Sequence, residues 1–289
     1  MRLANLDGRA TLVVPGHDDR GVDVAKSSGG QFGPEIQGLY DEWDAFRAFA
    51  AELDLSSEAT TTLERGELRA PVPAPRQVFG IGLNYRSHAA EAGMDLPSVP
   101  ATFTKFPASI TGPFATVELP NGTVDWEVEL VVVIGRLADR VSTADSWSHV
   151  AGLTIGQDLS DRTLQLAAGA QFSLGKSHRG FSPLGPWVVT PDELDDPDDL
   201  ALGCRVDGET VQDGRTSDLV FTVPQLVAEL SAVVPLLPGD IIFTGTPGGV
   251  GFARKPPRFL QPGETLESWV EGIGTIRTRF TAAGGHDAG

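Results

Sequence analysis

One stretch, Trp126-Glu-Val-Glu-Leu-Val-Val-Val-Ile134, limits the fold more than any other. A strand turns alternate side chains to opposite faces. Val131 and Val133 fall on one face, and Trp126, Val128, Leu130, Val132 and Ile134 on the other. A strand that is apolar on both faces is covered on both, so it belongs at the centre of a sheet. Glu127 and Glu129 open this strand on the Val131 face. Two adjacent carboxylates resist desolvation together. Three outcomes are open: the strand emerges into water there, one carboxyl takes up a proton, or a cation sits between them.

From Val78 onward short apolar runs alternate with turns, over 78–82, 101–106, 115–119, 126–134, 151–155, 185–190, 202–206, 240–244 and 274–280. This is the pattern of a β-rich domain. The 34 Gly and 21 Pro fit many turns rather than a helical bundle. Helices are predicted over 86–92 and from Pro224, a favourable first helical residue, with Leu226, Val227 and Leu230 buried. Ahead of these, 2–6 and 10–14 read as strands joined by the turn Asp7-Gly8, and 15–35 as polar, Gly-rich loop. Leu39, Trp43, Phe46, Ala50 and Leu53 repeat at helical spacing, which predicts a helix over 39–53. The proline-punctuated stretch 70–75 reads as a stiff linker. The expected division is a small N-terminal unit, 1–72, and a main unit, 73–289. The end of the chain after Phe280 reads as frayed.

The formal charge of −17 argues against nucleic acid or an anionic membrane surface as a partner, since both require basic patches. The single cysteine, Cys204, allows no internal disulfide and suits a reducing cytoplasm. The opening MRLANLDGRA lacks the apolar core of a signal peptide, and runs such as Leu130 to Ile134 are too short to span a bilayer.

Several other residues carry chemistry in more than one reading. Asp158 follows the apolar run Ala151 to Ile155 and is either a turn or cap residue or a third acid at a strand end. Joined to Glu127 and Glu129, it makes an all-oxygen site that selects a hard ion: Mg²⁺ first, with Mn²⁺ and Ca²⁺ as alternatives. His88 and Glu91 lie three apart in a predicted helix. They are either a surface pair or a carboxylate orienting an imidazole as general base. Lys176 is open between a solvated lysine and a pocket cation. Asp158, Arg162 and Gln165 share a face if their segment is helical, and Arg162 is equally suited to pair with Asp158 or Asp161. His178 and Arg179 are pocket rim at best. Gly248, Gly249 and Gly251 do not form a phosphate loop, because Gly-Lys-Ser/Thr is missing, and Gly80 and Gly82 lack the third glycine of a dinucleotide fingerprint. His17, His149 and His286 have no legible partners.

The strings GIGLNYRSHAAE (80–91), DWEVELVVVIG (125–135), GQDLSDRTLQ (156–165), FSLGKS (172–177), SPLGPWVVT (182–190) and IIFTGTPGGVG (241–251) together resemble the fumarylacetoacetate hydrolase family over residues 75–281. The resemblance implies an α+β fold with layered mixed β-sheets rolled around a metal site, a small β-rich N-terminal appendage with one helix, and a homodimer. It implies Glu127, Glu129 and Asp158 as metal ligands, His88 and Glu91 as a water-activating pair, and Lys176 as a pocket cation that steadies oxyanion charge. Tyr85, Arg162, Gln165 and Thr246 are implied substrate contacts, and 92–100 a lid. The implied reaction is hydrolytic cleavage of a carbon–carbon bond in a small 2,4-dioxo acid, acylpyruvate-like, through a metal-stabilised enolate. Alternatives on the same centre are isomerisation of a 2-hydroxy-dienoate, as in aromatic-compound catabolism, and decarboxylation of oxaloacetate. The stretch 255–264 has a likeness to members that cleave a diketo-deoxy sugar acid. A non-catalytic binding protein on the same fold is the remaining reading.

Overall fold

The computed structural model describes every residue except 59, 121, 168, 170 and 285–289. The chain opens on strands β1 (Arg2–Leu6), β2 (Arg9–Val14) and β3 (His17–Asp23). Asp7 and Gly8, both at positive φ, turn β1 into β2. A short helix, α1 (Val24–Ser27), follows β3 and is capped by the Asp23 side chain. The loop expected over 15–35 is therefore corrected: His17 to Arg20 is strand, too exposed and too polar to show a buried face. The helix expected over 39–53 begins earlier and breaks at Glu42, whose backbone (φ −118°, ψ 28°) leaves the helical region. It is two helices, α2 (Ile36–Asp41) and α3 (Trp43–Glu52). Strands β4 (Thr60–Thr62) and β5 (Leu68–Arg69) close this part.

The rest begins with β6 (Val78–Gly82), α4 (Arg86–Ala92), β7 (Ala101–Thr104), β8 (Ile110–Thr111), β9 (Thr116–Leu119) and β10 (Val124–Asp125). The central hairpin β11 (Val128–Ile134) and β12 (Val150–Gln157) leads to β13 (Ser160–Asp161) and α5 (Arg162–Ala167). Then come β14 (Ser182–Val189), β15 (Ala201–Val206), β16 (Glu209–Arg215) and α6 (Val223–Ser231). Strands β17 (Ile241–Phe243), β18 (Thr265–Val270) and β19 (Gly274–Ala282) complete the chain. Pro224 lies in the first turn of α6, behind a capping box of Thr222 and Gln225. The tail expected to fray is strand as far as Ala282, and 285–289, with His286, lie outside the described residues.

Among the described residues, twelve strands form one mixed sheet with the path β4-β3-β2-β1-β14-β12-β11-β17-β6-β7, β5 adding to β1 and β8 to β14. A second sheet runs β16-β15-β18-β19-β9. β1 pairs antiparallel with β14, so the N-terminal strands continue the main sheet. β11 lies between β12 and β17, the central position its two apolar faces require. Val128, Leu130, Val132 and Ile134 pack in a core with Leu202, Cys204 and Ile276 of the second sheet. Val131 and Val133 face the other way, into a core with Tyr40, Trp43 and Phe46 from α2 and α3. Full burial of each such side chain contributes about 1.5–3 kcal/mol, so both layers hold β11 in place. The result is an α+β fold of layered mixed sheets with few helices. No helix among the described residues is long and apolar enough to cross a membrane.

Candidate active site

The main sheet brings three acids to one point. Glu127 and Glu129 sit where β11 begins, and Asp158 follows the end of β12 on the neighbouring strand. The ladder pairs Glu129 with Gly156 and continues as the Asp158 amide donates to the Glu127 carbonyl at 2.9 Å. All three carboxylates are buried, and each offers an oxygen within 4.8 Å of the others. The strand therefore does not emerge into water at this end.

Cations surround the triad. Lys176 Nζ donates to Glu127 Oε2 (2.8 Å), Asp158 Oδ2 (2.5 Å) and Ser160 Oγ (3.0 Å). Arg162 Nη2 donates to Glu127 Oε1 at 2.6 Å. Lys105, fully buried, donates to Asp158 Oδ1 at 2.5 Å and to the carbonyls of Lys176 and Phe181. The only hydrogen bond to the Glu129 carboxylate among the described residues comes from the Gly245 amide at 2.7 Å, in a turn where φ of +99° requires glycine. Burial pushes the Glu127 carboxyl up, but Lys176 and Arg162 outweigh it and hold the group down at about 2. Glu129 has no such partner. Burial, then Asp158 and Glu127, push its carboxyl well above the ordinary range.

The donor set fits a divalent cation. Its oxygens are hard, close together and desolvated. With all four carboxylates ionised (Asp125 included), Lys105, Arg162 and Lys176 leave one negative charge uncompensated. A divalent ion would turn that balance to a single positive charge, which suits an anionic substrate.

A cavity of about 640 Å³ reaches the triad at Glu127. His88, Glu91, Arg162, Gln165, Lys176 and Thr246 all line it, so the structure brings most of the expected site together. His88 Nδ1 lies 3.5 Å from Glu91 Oε2 on one face of α4, and the Gly249 amide donates to both Glu91 oxygens, at 3.1 and 3.0 Å. Glu91 is thus anchored by the TPGG turn near the imidazole, and His88 Nδ1 makes no hydrogen bond among the described residues. Tyr85 is fully buried outside this lining; its hydroxyl finds no hydrogen-bond partner among the described residues. Thr246 Oγ1 donates to the Val128 carbonyl at 2.8 Å and accepts from Gln212 Nε2 at 2.7 Å.

Arg162 pairs with neither of the acids proposed for it from sequence. It clasps Asp125 with Nε (2.6 Å) and Nη2 (3.0 Å), and its Nη1 donates to Gln165 Oε1 at 2.9 Å. Helix α5 begins only at Arg162, so Asp158 does not share its face, while Arg162 and Gln165 do. Asp161 turns instead to His178, whose Nε2 lies 3.1 Å away. His178 and Arg179 line a separate groove rather than the cavity rim. His149 Nδ1 lies 3.0 Å from the Leu137 carbonyl, and His17 lines a groove beside β2. Sequence reasoning missed Lys105, Asp125, Gln157 and Gln212. Gln157 accepts from the Glu127 amide and Gln212 from the Val128 amide, closing the start of β11. The alternation in 124–129 placed Asp125 on the Glu127 face and was the available signal for it; single Lys and Gln residues carry none.

The chain matches the description "Fumarylacetoacetate (FAA) hydrolase C-terminal" over residues 77–281. It is 43% identical over 234 residues to the mitochondrial oxaloacetate tautomerase of Rattus norvegicus, covering 80% of this chain and 73% of that one. A crystal structure of an HpcE-like protein from Mycobacterium smegmatis superposes with a TM-score of 0.93 at 55% identity, covering 98% of this chain and all of that one. Maleylpyruvate hydrolase from Sphingobium, solved with manganese(II) and pyruvate, superposes with a TM-score of 0.80 at 29% identity, covering 98% and 99%. With these matches and the buried acidic triad, the chain is a member of the fumarylacetoacetate hydrolase family and an enzyme of that family's fold.

Proposed function

We propose that the protein hydrolyses a carbon–carbon bond in a small 2,4-dioxo acid, with Glu127, Glu129 and Asp158 as the ligands of one Mg²⁺ or Mn²⁺. The observation that carries this reading is the His88–Glu91 pair on the cavity wall beside the buried triad. The bound ion would supply Lewis acidity to the oxygens of the 2-oxo acid end. His88 takes a proton from water, and Glu91, anchored by Gly249, orients the imidazole and offsets the charge it gains. The water oxygen bonds to the C4 carbonyl carbon, whose oxygen takes the carbonyl pair as negative charge. As the carbonyl re-forms, the C3–C4 bond breaks and its electron pair passes to C3, which takes up the proton from His88. A carboxylic acid and pyruvate are released. Lys176, on the wall, steadies the oxyanion, while Arg162 and Gln165 position the 2-oxo acid end. Thr246 closes the wall at Val128.

The test is pyruvate release from 2,4-dioxopentanoate with Mg²⁺ or Mn²⁺ present. His88→Asn should lower kcat by about 10²–10⁴-fold with little change in KM, the usual contribution of a general base. Undiminished turnover in that variant would remove the water-activation role. A second reading, keto–enol tautomerisation of oxaloacetate, is favoured by the 43% identity to a tautomerase. It needs no carbon–carbon cleavage, so oxaloacetate turnover without pyruvate release from the dioxo acid would select it. A cytoplasmic homodimer belongs to the same proposal, supported by the single buried Cys204 and by the family resemblance, and sedimentation tests the dimer.

A further inference from the structure

The cavity is polar and closed at one end, apolar and open at the other. Glu127, Arg162, Gln165, Lys176 and Thr246 form the buried end. Toward the mouth the wall is Phe103, Phe172, Leu166, Met94 and Phe252. Leu166, Met94 and Phe252 are 53%, 60% and 47% exposed, large apolar surfaces turned to solvent at a site entrance. Phe103 lies directly on Gly80, where a Cβ would come 2.4 Å from its ring. Its ring meets that of Phe172 edge-on at 5.9 Å, and it faces Lys176 Nζ at 5.1 Å. The glycine of β6 thus makes room for an aromatic ring at the boundary between the two ends.

Charge divides the cavity in the same way. Its Lys and Arg lining is Arg162 and Lys176, both already bonded to carboxylates at the buried end, with the Arg162 guanidinium 5.8 Å from the ring centre of Phe252. The lid stretch 92–100 contains no Lys or Arg. What the mouth carries is acid, Asp95 beside Glu91.

We infer that the substrate's end remote from the 2-oxo acid group is an uncharged alkyl or aryl chain rather than a second carboxylate. The inference rests on the 2-oxo acid reading above and names the rest of the molecule. A carboxylate at that end would give up water against aromatic rings, with Glu91 and Asp95 near and, among the described lining residues, no Lys or Arg beyond the two already paired with carboxylates. An alkyl chain there covers Leu166, Phe172 and Phe252, and each buried methylene favours binding by about fourfold. Phe172, Leu166 and Phe252 are the specificity-determining residues.

Two seven-carbon pairs test this. Turnover is compared for 2,4-dioxoheptanoate and 2,4-dioxoheptanedioate, and binding to the Mn²⁺-loaded protein is measured by calorimetry for 2-oxoheptanoate and 2-oxoheptanedioate. The monoacids should be favoured by about tenfold or more in kcat/KM and in Kd. Leu166→Arg, a change on an exposed helix surface, should move the preference ratio several-fold toward the diacids. A ratio does not depend on how much of the variant is folded. Equal or reversed preference in the parent protein overturns the inference. Tighter monoacid binding with neither dioxo acid cleaved leaves the inference standing and overturns the hydrolase reading. Binding of neither oxo acid overturns both.

Discussion

At the residue scale the site is a charge balance held out of water. Glu127 has both oxygens committed to cations of the protein, whereas Glu129 accepts from a single amide. Replacing Glu127 with Gln removes one carboxylate charge of the triad and leaves Arg162 and Lys176 short of an acceptor. We expect the variant to be inactive and to bind Mg²⁺ more weakly by about 100-fold or more, since removing even an outer-shell partner costs 10- to 100-fold. Calorimetric titration reads the affinity, and an unchanged value would show that Glu127 is not a ligand. Lys105 holds Asp158 from behind the site, fully buried. Lys105→Met leaves Asp158 Oδ1 and the Lys176 carbonyl without their donor, while Lys176 Nζ still reaches Asp158 Oδ2. Breaking a buried pair in this way destabilises by about 3–5 kcal/mol, which a urea titration would register as a lower midpoint. Glu127, Glu129, Asp158 and His88 were readable from their strings, while Lys105 was not. A lysine's burial depends on which carbonyls the fold turns toward it.

At the element scale β11 carries the design. Its alternate faces supply two separate cores, and its first turn of ladder supplies two of the three acids. Leu130 is fully buried between the sheets. Leu130→Ala should cost about 2–5 kcal/mol, measured by the same denaturant titration. Helix α1 shows how a strand missed in the sequence is secured. Asp23 ends β3, accepts from the Lys26 amide at 3.0 Å and pairs with Arg9 at 2.6 Å. Its partial burial raises the carboxyl pKa, but the bonds from Arg9 and Lys26 outweigh that and lower it. A lowered folded value means stability present above the ordinary carboxylate value of 3.8 and lost as pH falls through the folded one. Asp23→Ala should therefore lower Tm at pH 7, by about 0.5–2 kcal/mol of cap energy, and the gap to the parent should close on acidification below 3.8. A gap that persists in acid would show that Asp23 acts through packing alone. β18 alternates buried and half-buried positions yet was not among the expected strands; β16, written Glu-Thr-Val-Gln-Asp-Gly-Arg, was too polar to announce itself.

At the scale of the whole molecule, folding gathers the acids and an ion would then oppose their repulsion. The unfolded chain holds Glu127 and Asp158 far apart along the sequence and binds such an ion weakly. Stability should therefore rise with ion concentration, by about 2.7 kcal/mol at a hundredfold excess over Kd. A thermal scan in chelator against one in Mg²⁺ or Mn²⁺ reads this as a higher Tm, and coincident curves would remove the ion from the site. The N-terminal strands share the main sheet through the β1–β14 pairing, and α2 and α3 cover the second face of β11. Residues from before the proline stretch therefore seal the core behind the main sheet.

The sequence by itself determined the central strand, the turns, most strand positions and the family to which its motifs belong. These depend on local periodicity and on short strings of neighbouring residues. Only the tertiary structure decided that Arg162 clasps Asp125, that Lys105 backs Asp158, and that the cavity mouth carries exposed apolar side chains and Asp95. Those contacts join residues from separate strands and helices, and the register and packing of whole sheets set which side chains meet.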